Sequence, residues 1–326
     1  MTHTELPPDR TADAEPTAGT AVGPAPRVSV LMPVYNGERY VGDAVRSVLA
    51  SRFADFELLV VDDGSTDASV DEATRAAAGD RRLRVLRVPH GGVAAARDAG
   101  LRAARGDLVA NLDADDAMFP ERLERQVAFL DRHPECVAVG ARCVACDAAG
   151  RPVRIVGGRH LAHEAIDGAH MQGLGGAIWN PSATFRRRAA LDAGGYPATP
   201  HATGEDHDFW LRLAEVGRLA NLPDVLVRYR LHDANASSGD GIAERRLPVT
   251  IDNLRRAYHR RGITDREPVK GRAPPPRPAE RWCDRALCRH FAGDRGGAVR
   301  AVLVALLFDP FAPGTRSAAR RILGPR

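Results

Sequence analysis

An acidic cluster stands directly after an apolar segment of the chain. Asp113, Asp115 and Asp116 follow the run LVANL at 108–112. Carboxylates at the end of a buried strand are costly unless a positive charge neutralises them. Mg²⁺ and Mn²⁺ prefer hard oxygen ligands, so the spacing predicts a divalent-cation site that also engages substrate phosphates. A solvated loop, or an acidic first turn before a helix near Pro120, would use the same residues.

Two further acidic pairs have the right chemistry for a site. Asp62-Asp63 follows the apolar run FELLVV and continues as Gly-Ser-Thr-Asp, although an Asx-turn would explain the same residues. Glu205-Asp206 precedes the apolar FWLRL, and a carboxylate there could take a proton from a hydroxyl. His207 is a rival base, because imidazole titrates closer to neutral pH. An acidic first turn of an amphipathic helix is the purely structural alternative.

Apolar periodicity predicts the elements that position these carboxylates. Short β-branched runs alternate with helical patterns and predict four strands, at 28–32, 56–61, 83–88 and 107–113. Such repeats predict an α/β fold with a parallel sheet between two helical layers. Ligands of these sheets bind at the carboxyl ends of the strands. We therefore expect Tyr35 and Asn36 to lie at one edge of the sheet. The acidic cluster at 113–116 and the pair Asp62-Asp63 should lie at the same edge.

Composition divides the chain into five segments. Residues 1–26 lack an apolar core and predict a disordered leader, not a secretion signal. Residues 27–135 form the strand–helix half, and residues 136–263 predict a second half, with a hairpin at 136–156 and an irregular stretch at 157–178. A Pro-rich linker (264–280) and a helical tail (281–326) follow. The apolar part of the tail would pack on the domain, lie on a membrane surface or form a dimer.

Composition also limits the function classes. Hydrophobic residues make up 44% and charged residues 27% of the chain, as in ordinary globular proteins. A net charge of +4 without a basic stripe interleaved with aromatics argues against nucleic-acid binding. No apolar run is long enough to span a membrane, and five cysteines without a disulfide framework favour the cytoplasm. Cys143 and Cys146 lie in an apolar run, which favours packing over metal binding.

The ordered set of motifs resembles the family 2 glycosyltransferases, whose catalytic domain has the GT-A fold. The match covers roughly residues 27–235 and consists of VSVLMPVYNGERYVGDAVRSVL, FELLVVDDGSTD, HGGVAAARDAGLRAARGDLVANLDADD, NPSATFRR, GGY, GEDHDFWLRL and YRLHDANAS. Each segment alone is a weak indicator of the family, but the order and spacing of all the segments together are specific to it. The resemblance implies a Rossmann-like, mostly parallel nucleotide-binding sheet, and transfer of a sugar from a nucleotide diphosphate to an acceptor hydroxyl.

The resemblance implies a donor site with a metal cofactor, Mn²⁺ or Mg²⁺. Asp63 would accept a hydrogen bond from the ring N–H of a pyrimidine, which favours a UDP-sugar. Asp115 would be the direct metal ligand. The full set of implied donor residues is Pro33, Tyr35, Asn36, Glu38, Asp62, Asp63, Arg97, Asp113 and Asp115, and the implied metal ligands are Asp115, Asp113 and His232. The chain departs from the family pattern at Asp98, where Asn is frequent, and at Gly91-Gly92, where Asn-x-Gly is common.

The resemblance places the acceptor chemistry at Glu205-Asp206. Asp206 would be the general base, and Glu205 would contact the acceptor or support a ligand. Weaker acceptor candidates are Trp179, Asn180, His207 and Trp210. Trp179 would either stack on a sugar or fill the core. A single base without a partnered nucleophile implies inversion of configuration.

The acceptor is expected to receive one sugar at a time. Processive family members carry Gln-x-x-Arg-Trp beside a membrane channel, whereas this chain has Arg281-Trp282 without the Gln. We therefore expect a glycan, lipid-linked or small-molecule acceptor, with a cytoplasmic protein in peripheral contact with the membrane as one arrangement. The sugar, the acceptor, the donor base and the oligomeric state remain open.

Two other functions use similar residues. A nucleotidyltransferase would also have a parallel sheet and metal-binding carboxylates, but should show a Gly-rich basic loop after the first strand, where this chain has PVYNGE. A catalytically inactive nucleotide-sugar-binding protein would keep the same donor residues. Release of nucleotide diphosphate from a donor distinguishes an enzyme from such a binding protein.

Overall fold

The computed structural model describes residues 24–197, 204–233 and 242–324. Most of the predicted leader at 1–26 therefore lies outside the described residues. The described chain folds around one mixed sheet with helices on both faces. The α/β fold class is confirmed.

The first half is a parallel sheet of four strands joined by three helices. Its strands lie in the order β3-β2-β1-β4 and pair in parallel. The predicted strands at 28–32, 56–61, 83–88 and 107–113 are confirmed with small shifts of boundary. The elements are β1 (Val28–Val34), α1 (Val41–Leu49), β2 (Phe56–Asp62), α2 (Ser69–Ala77), β3 (Leu83–Arg87), α3 (Val93–Ala103) and β4 (Leu108–Asn111).

Beyond β4 the sheet continues with mixed pairing. Strand β8 is antiparallel to both β4 and β6, whereas β9 runs parallel to β6. The hairpin predicted at 136–156 is confirmed as β6 and β7. The elements are β5 (Ala117–Met118), α4 (Arg122–Arg132), β6 (Cys136–Cys146), β7 (Pro152–Val156), α5 (His163–His170), a 3₁₀ turn (Asn180–Ser182), β8 (Thr184–Arg186), α6 (Arg187–Asp192), α7 (Glu205–Val216) and β9 (Arg218–Arg230).

Helix α5 corrects one sequence prediction. The segment 157–178 was expected to be irregular, but His163–His170 is helical. Ile166 and Ala169 are buried in the core, and this packing stabilises a helix that Gly and His would not favour alone. Tertiary contact therefore outweighed local propensity.

Alternating side chains of the central strands supply two cores. Val30 and Met32 of β1 face a cluster with α1, α2 and α4, while Leu31 faces the opposite cluster. Period-2 alternation produces this division. The second cluster also contains Phe185 and the aromatic pair Phe209 and Trp210 of α7. Helix α7 is thereby fixed against the sheet at the point where its first turn reaches the strand ends.

In the part of the chain that the structure describes, four helices follow β9: α8 (Ile242–Arg260), α9 (Pro278–Phe291), α10 (Arg295–Phe308) and α11 (Pro313–Leu323). The helical tail is confirmed, and its helices pack on the outer strands through a cluster that includes Val144, Ile155, Leu287 and Val302. Within the described residues, no helix has both the length and the apolarity needed to cross a membrane.

Candidate active site

A cleft opens at the carboxyl ends of β1, β2 and β4. Its volume is about 1070 Å³. Side chains that are far apart in sequence line this one cavity, as the topology of the sheet requires. Of the residues predicted from sequence, the cleft is lined by Pro33, Tyr35, Asn36, Asp63, Arg97, Asp113, Asp115, Trp179, Asn180, Glu205, Asp206, His207 and His232.

Asp63 marks one end of the cleft. Its two carboxylate oxygens accept hydrogen bonds from the backbone N–H groups of Gly91 (2.8 Å) and Gly92 (2.9 Å). An ionised carboxylate has about four acceptor sites, so capacity remains for a further donor. Tyr35, which is half exposed, stacks on His90 with 4.1 Å between ring centroids. This end therefore combines an aromatic surface with a fixed hydrogen-bond acceptor.

Neighbouring polar residues hold the loops around Asp63. Asn36 Oδ1 accepts the N–H of Thr66 at 2.8 Å, and Glu38 Oε2 accepts the N–H of Ala68 at 3.0 Å. Asp62 Oδ1 accepts the N–H of Ser65 at 3.0 Å, as in an Asx-turn. Glu38 and Asp62 do not line the cleft, in contrast to the expectation that they contact the donor. They shape the loop that presents Asp63.

The acidic cluster lies in the middle of the cleft. Oxygens of Asp113, Asp115 and Asp116 fall within 4.8 Å of one another. Burial, with the nearby Asp113 carboxylate, raises the pKa of Asp115, and burial with its acidic neighbours raises the pKa of Asp116 well above its usual range. His232 Nε2 lies 2.9 Å from Asp115 Oδ2.

These residues fit a divalent cation. Crowded, buried carboxylates repel one another, and a cation would relieve that repulsion. Among the described residues, none donates a hydrogen bond to the buried Oδ2 of Asp116. Asp116 Oδ1 accepts from the N–H of Arg230, so Asp116 is held behind the other two aspartates. Asp113, Asp115 and His232 would hold the cation from the cleft side, as hard oxygen ligands and imidazole can do for Mn²⁺.

Arg97 connects the acidic cluster to the opposite wall. Its guanidinium donates to Glu205 Oε1 at 2.6 Å and to Asp113 Oδ1 at 2.7 Å. Burial opposes its charge, but the carboxylates of Asp113 and Glu205 outweigh that effect and raise the pKa of Arg97. Sequence analysis placed Arg97 at the donor site and did not foresee this bridge, which joins residues 108 positions apart.

The opposite wall is formed by the first turn of α7. Gly204 precedes the helix with φ at 94°, a conformation that favours glycine. Burial and the adjacent Asp206 raise the pKa of Glu205, whereas Arg97 opposes that change. Asp206 is half-buried and lines the cleft. Its Oδ1 accepts the backbone N–H of His207 at 2.8 Å.

His207 is poorly placed to act as the base. Its Nε2 lies 2.9 Å from the carbonyl oxygen of His170, so this nitrogen must carry the proton that it donates. The other nitrogen, Nδ1, is buried and has no partner among the described residues. Burial lowers the pKa of His207. Asp206 is therefore the better candidate of the two.

The weaker acceptor candidates separate into two groups. Trp179 lines the cleft and packs edge-on against Tyr229 at 5.3 Å. Asn180 also lines it, and its Nδ2 has no partner among the described residues. Trp210 is only 1% exposed and packs against Phe185 and Phe209. Its ring belongs to the core and does not line the cleft, in contrast to the expected acceptor contact.

The residues that line the cleft but were not identified from the sequence include Tyr40, Arg246 and Lys270. The Tyr40 ring stacks on His232 with 4.7 Å between centroids. Lys270 is the sole lysine of the chain, and this was the one available signal that it is unusual. Tyr40 and Arg246 lie in ordinary helical patterns and gave no signal.

Comparison with known proteins supports the fold and the class of enzyme. The family model described as Glycosyl transferase family 2 matches residues 29–193. Putative glycosyltransferase EpsE of Bacillus subtilis (strain 168) is 32% identical over 237 residues, which cover 72% of this chain and 81% of that protein. Amylovoran biosynthesis glycosyltransferase AmsE of Erwinia amylovora is 31% identical over 209 residues, which cover 62% of this chain and 75% of that protein.

Two solved structures share the architecture. S. aureus TarS 1-349 in complex with UDP-GlcNAc has a TM-score of 0.56 at 18% identity, covering 91% of this chain and 90% of that chain. Mannosyltransferase PcManGT from Pyrobaculum calidifontis, in complex with GDP-Man and Mn²⁺, has a TM-score of 0.52 at 20% identity, covering 92% of this chain and 88% of that chain. At these identities the likeness shows the fold alone. The matched motifs, the extent of the family match and the identity with EpsE show that the chain belongs to the family 2 glycosyltransferases.

Proposed function

We propose that this protein transfers a single sugar from a UDP-sugar to an acceptor hydroxyl, with inversion of configuration and with Mn²⁺ or Mg²⁺ as cofactor. The observation that carries the proposal is that Asp63, Asp115 and Asp206 line one cleft. Asp63 would contact the nucleobase of the donor, Asp115 would bind the metal ion, and Asp206 would be the general base.

The nucleobase of the donor would lie at Asp63, and its diphosphate would lie at the acidic cluster. A ring N–H of uracil can donate to the Asp63 carboxylate, and Tyr35 offers an aromatic surface for the base. Asp113, Asp115 and His232 are the groups that would hold the cation. When bound, the cation would stabilise the negative charge of the departing diphosphate.

Asp206 would remove the acceptor proton. A hydroxyl is a poor nucleophile at neutral pH, and a carboxylate within hydrogen-bond reach accepts its proton as the new bond forms. Its position across the cleft from the acidic cluster suits attack on the anomeric carbon opposite the leaving group. A single displacement of this kind inverts the anomeric configuration. The ¹H NMR coupling of the product's anomeric proton tests that outcome directly.

The acceptor is proposed to be a glycan, a lipid-linked sugar or a small molecule. The name of AmsE refers to the biosynthesis of a polysaccharide, which supports a glycan product. The open cleft and the absence of the Gln-x-x-Arg-Trp motif from the sequence support transfer of one sugar per binding event.

We further propose that the protein works at the cytoplasmic face of a membrane. All five cysteines are free, as suits a reducing compartment. Leu307 and Phe311 on the outer side of the tail are 86% and 83% exposed, and Leu303 and Phe308 beside them are also exposed. Arg300 and Arg316 are exposed in the same region. Apolar groups flanked by arginines suit an anionic lipid surface.

A donor screen tests the proposed reaction. Thermal shifts would be recorded with UDP, GDP, TDP and their sugars, with and without Mn²⁺, followed by assays for release of nucleotide diphosphate. We expect the largest stabilisation from a uridine nucleotide with Mn²⁺, and slow UDP release from its sugar. A protein that binds UDP-sugar but never releases UDP would be a binding protein, and the proposal would be wrong. A preference for a guanosine donor would agree with glycosyl transfer, but would show that uracil is not the nucleobase of the donor.

A further inference from the structure

We propose that the acceptor carries an oxyanion group, a phosphate or a carboxylate, which Arg246 and Lys270 bind at the outer end of the cleft. The proposal rests on the proposed glycosyl transfer and identifies the chemical class of its second substrate.

Both cations lie on the wall that contains the general base. Arg246 lies on α8, and Lys270 lies in the segment between α8 and α9. Each lines the same cleft as Asp206. The charge of Lys270 is also near enough to His207 to contribute, after burial, to the lowered pKa of that imidazole. A group bound by these side chains would therefore belong to a molecule that reaches Asp206.

Helix packing fixes Arg246 beside the start of α7. Arg246, Val249, Thr250 and Asn253 recur at helical spacing and share one face of α8. Asn253 Nδ2 donates to the carbonyl oxygen of Gly204 at 2.8 Å, and Val249 lies so close to Gly204 that an added Cβ would meet it at 2.8 Å. This face is thus held against the residue that precedes Glu205 and Asp206.

Lys270 is held by a glycine-containing loop. The N–H of Gly271 donates to the carbonyl oxygen of Gln172 at 2.7 Å. A Cβ added to Gly173 would lie 3.5 Å from Lys270 Cγ, so the lysine stem passes directly over this glycine. Gly173 and Gly176 have φ at 65° and 79°, a region that disfavours larger residues. Glycine at position 173 therefore lets the loop approach Thr250 and Lys270 closely.

The two cations have no carboxylate partner among the described residues. Arg97, by contrast, is neutralised by Asp113 and Glu205 within the same cleft. Unpaired positive charge in a cleft concentrates the field and attracts anions. Arginine binds oxyanions with two parallel hydrogen bonds, and lysine binds phosphate as a point charge.

The donor diphosphate does not account for these cations. It is assigned to the acidic cluster, where Asp113, Asp115 and His232 lie. Lys270 instead passes over Gly173, and Arg246 shares a face of α8 with Val249 and Asn253, which contact Gly204; neither Gly173 nor Gly204 belongs to that cluster. The second substrate is the remaining source of negative charge.

Matched acceptors test the proposal. Transfer from a UDP-sugar would be measured to glycerol phosphate against glycerol, and to methyl glucuronide against methyl glucoside. We expect the anionic member of a pair to be preferred by about tenfold in kcat/KM, the effect of one charge-assisted hydrogen bond. Preference within the first pair indicates a phosphate, and preference within the second indicates a carboxylate.

Five variants locate the effect. Arg246→Met and Lys270→Met should each reduce the preference, and the double variant should abolish it, with the KM for the donor unchanged. Arg245→Met and Arg272→Met are matched controls, because these exposed neighbours do not line the cleft; they should keep the preference.

A binding measurement covers the case in which none of these acceptors is used. Glycerol phosphate and inorganic phosphate would be titrated into the enzyme saturated with UDP and Mn²⁺ and followed by ligand-observed NMR. Wild-type binding that the double variant loses supports the proposal. Equal use of neutral and anionic acceptors, no anion binding by the wild type, or equal binding by the double variant overturns it. If no UDP-sugar releases UDP at all, the proposed transfer itself has failed, and that result is separate.

Discussion

The two ends of the cleft are built in different ways. At the donor end, loops that follow parallel strands are held by backbone hydrogen bonds to side chains, such as those from Gly91 and Gly92 to Asp63. At the acceptor end, the wall combines the start of α7, a glycine-containing loop and side chains of α8. The donor end therefore depends on sheet topology, whereas the acceptor end depends on how separate helices pack.

This difference has a functional consequence. A donor site at the strand ends would depend on the sheet, and the TarS and PcManGT structures share this fold. An acceptor site that consists of helix-borne side chains can change without disturbing the sheet. Three predictions test whether the two ends are separable, and a fourth tests a surface outside the cleft.

The largest effect is expected at the general base. Asp206→Asn should lower the rate of transfer by about 10³-fold, because the amide cannot accept the acceptor proton. UDP affinity should not change, since Asp206 belongs to the acceptor wall. Steady-state kinetics and UDP titration would measure the two quantities.

His207→Gln is the companion variant. Gln can donate to the His170 carbonyl as His207 does, so this change should lose far less activity. If His207→Gln abolished transfer while Asp206→Asn retained it, the imidazole would be the base.

The ion pairs of Arg97 with Asp113 and Glu205 should couple donor binding to acceptor binding. Arg97→Met removes a buried cation between Asp113 and Glu205 and should lower the free energy of unfolding by about 3–5 kcal/mol. Both the donor KM and the acceptor KM should rise in any fraction that folds. Arg97→Lys keeps the charge and should recover part of the stability. Urea unfolding and kinetics would follow both effects.

Arg102→Met provides the control for helix α3. Arg102 pairs with Asp98 at the surface, and loss of an exposed pair should cost under about 1 kcal/mol. A change in the donor KM alone for Arg97→Met would show that the bridge does not reach the acceptor end.

A substitution at Asp63 should weaken donor binding without changing acceptor binding. Asp63→Asn removes the charge that accepts a ring N–H, and UDP affinity should fall about tenfold. The acceptor KM should stay constant. Asp62→Asn is a neighbouring control that weakens the turn at Ser65 and should affect thermal stability more than UDP affinity. If both variants weakened UDP binding equally, Asp63 would act by shaping the loop and not by contacting the uracil ring.

The smallest effect is expected outside the cleft. The double change Leu307→Glu and Phe311→Glu should reduce binding to vesicles that contain anionic lipid, with transfer to a water-soluble acceptor unchanged. Each side chain would place a charge where apolar surface meets lipid. Val153→Glu is the control, because Val153 is exposed on β7 and does not belong to the tail. Vesicle sedimentation measures the difference, and equal binding by all three proteins would exclude the tail as the membrane contact.

Sequence reasoning succeeded where local pattern and topology decide the structure. The four parallel strands were identified because β-branched apolar runs alternate with helical periodicity. Their polar ends then had to meet at one edge, and Asp63 and Asp115 do line one cleft. The amphipathic helix weighed as the structural alternative at Glu205-Asp206 is observed at Glu205–Val216.

Sequence reasoning failed where packing decides which way a side chain faces. Glu38 and Asp62 satisfy backbone donors in a turn, and no linear pattern separates that role from donor contact. Trp210 faces the core because the aromatic cluster with Phe185 fills that side of α7. Arg246 was missed because its position in the cleft depends on how α8 meets Gly204.

Lys270 has a practical consequence for the study of this enzyme. The chain contains one ε-amino group, which is exposed on the cleft wall. Once the α-amino group has been blocked, amine-reactive dyes, cross-linkers and coupling resins will therefore modify the molecule at a single defined place. A fluorophore there would report occupancy of the neighbouring pocket, whereas immobilisation through lysine would obstruct it.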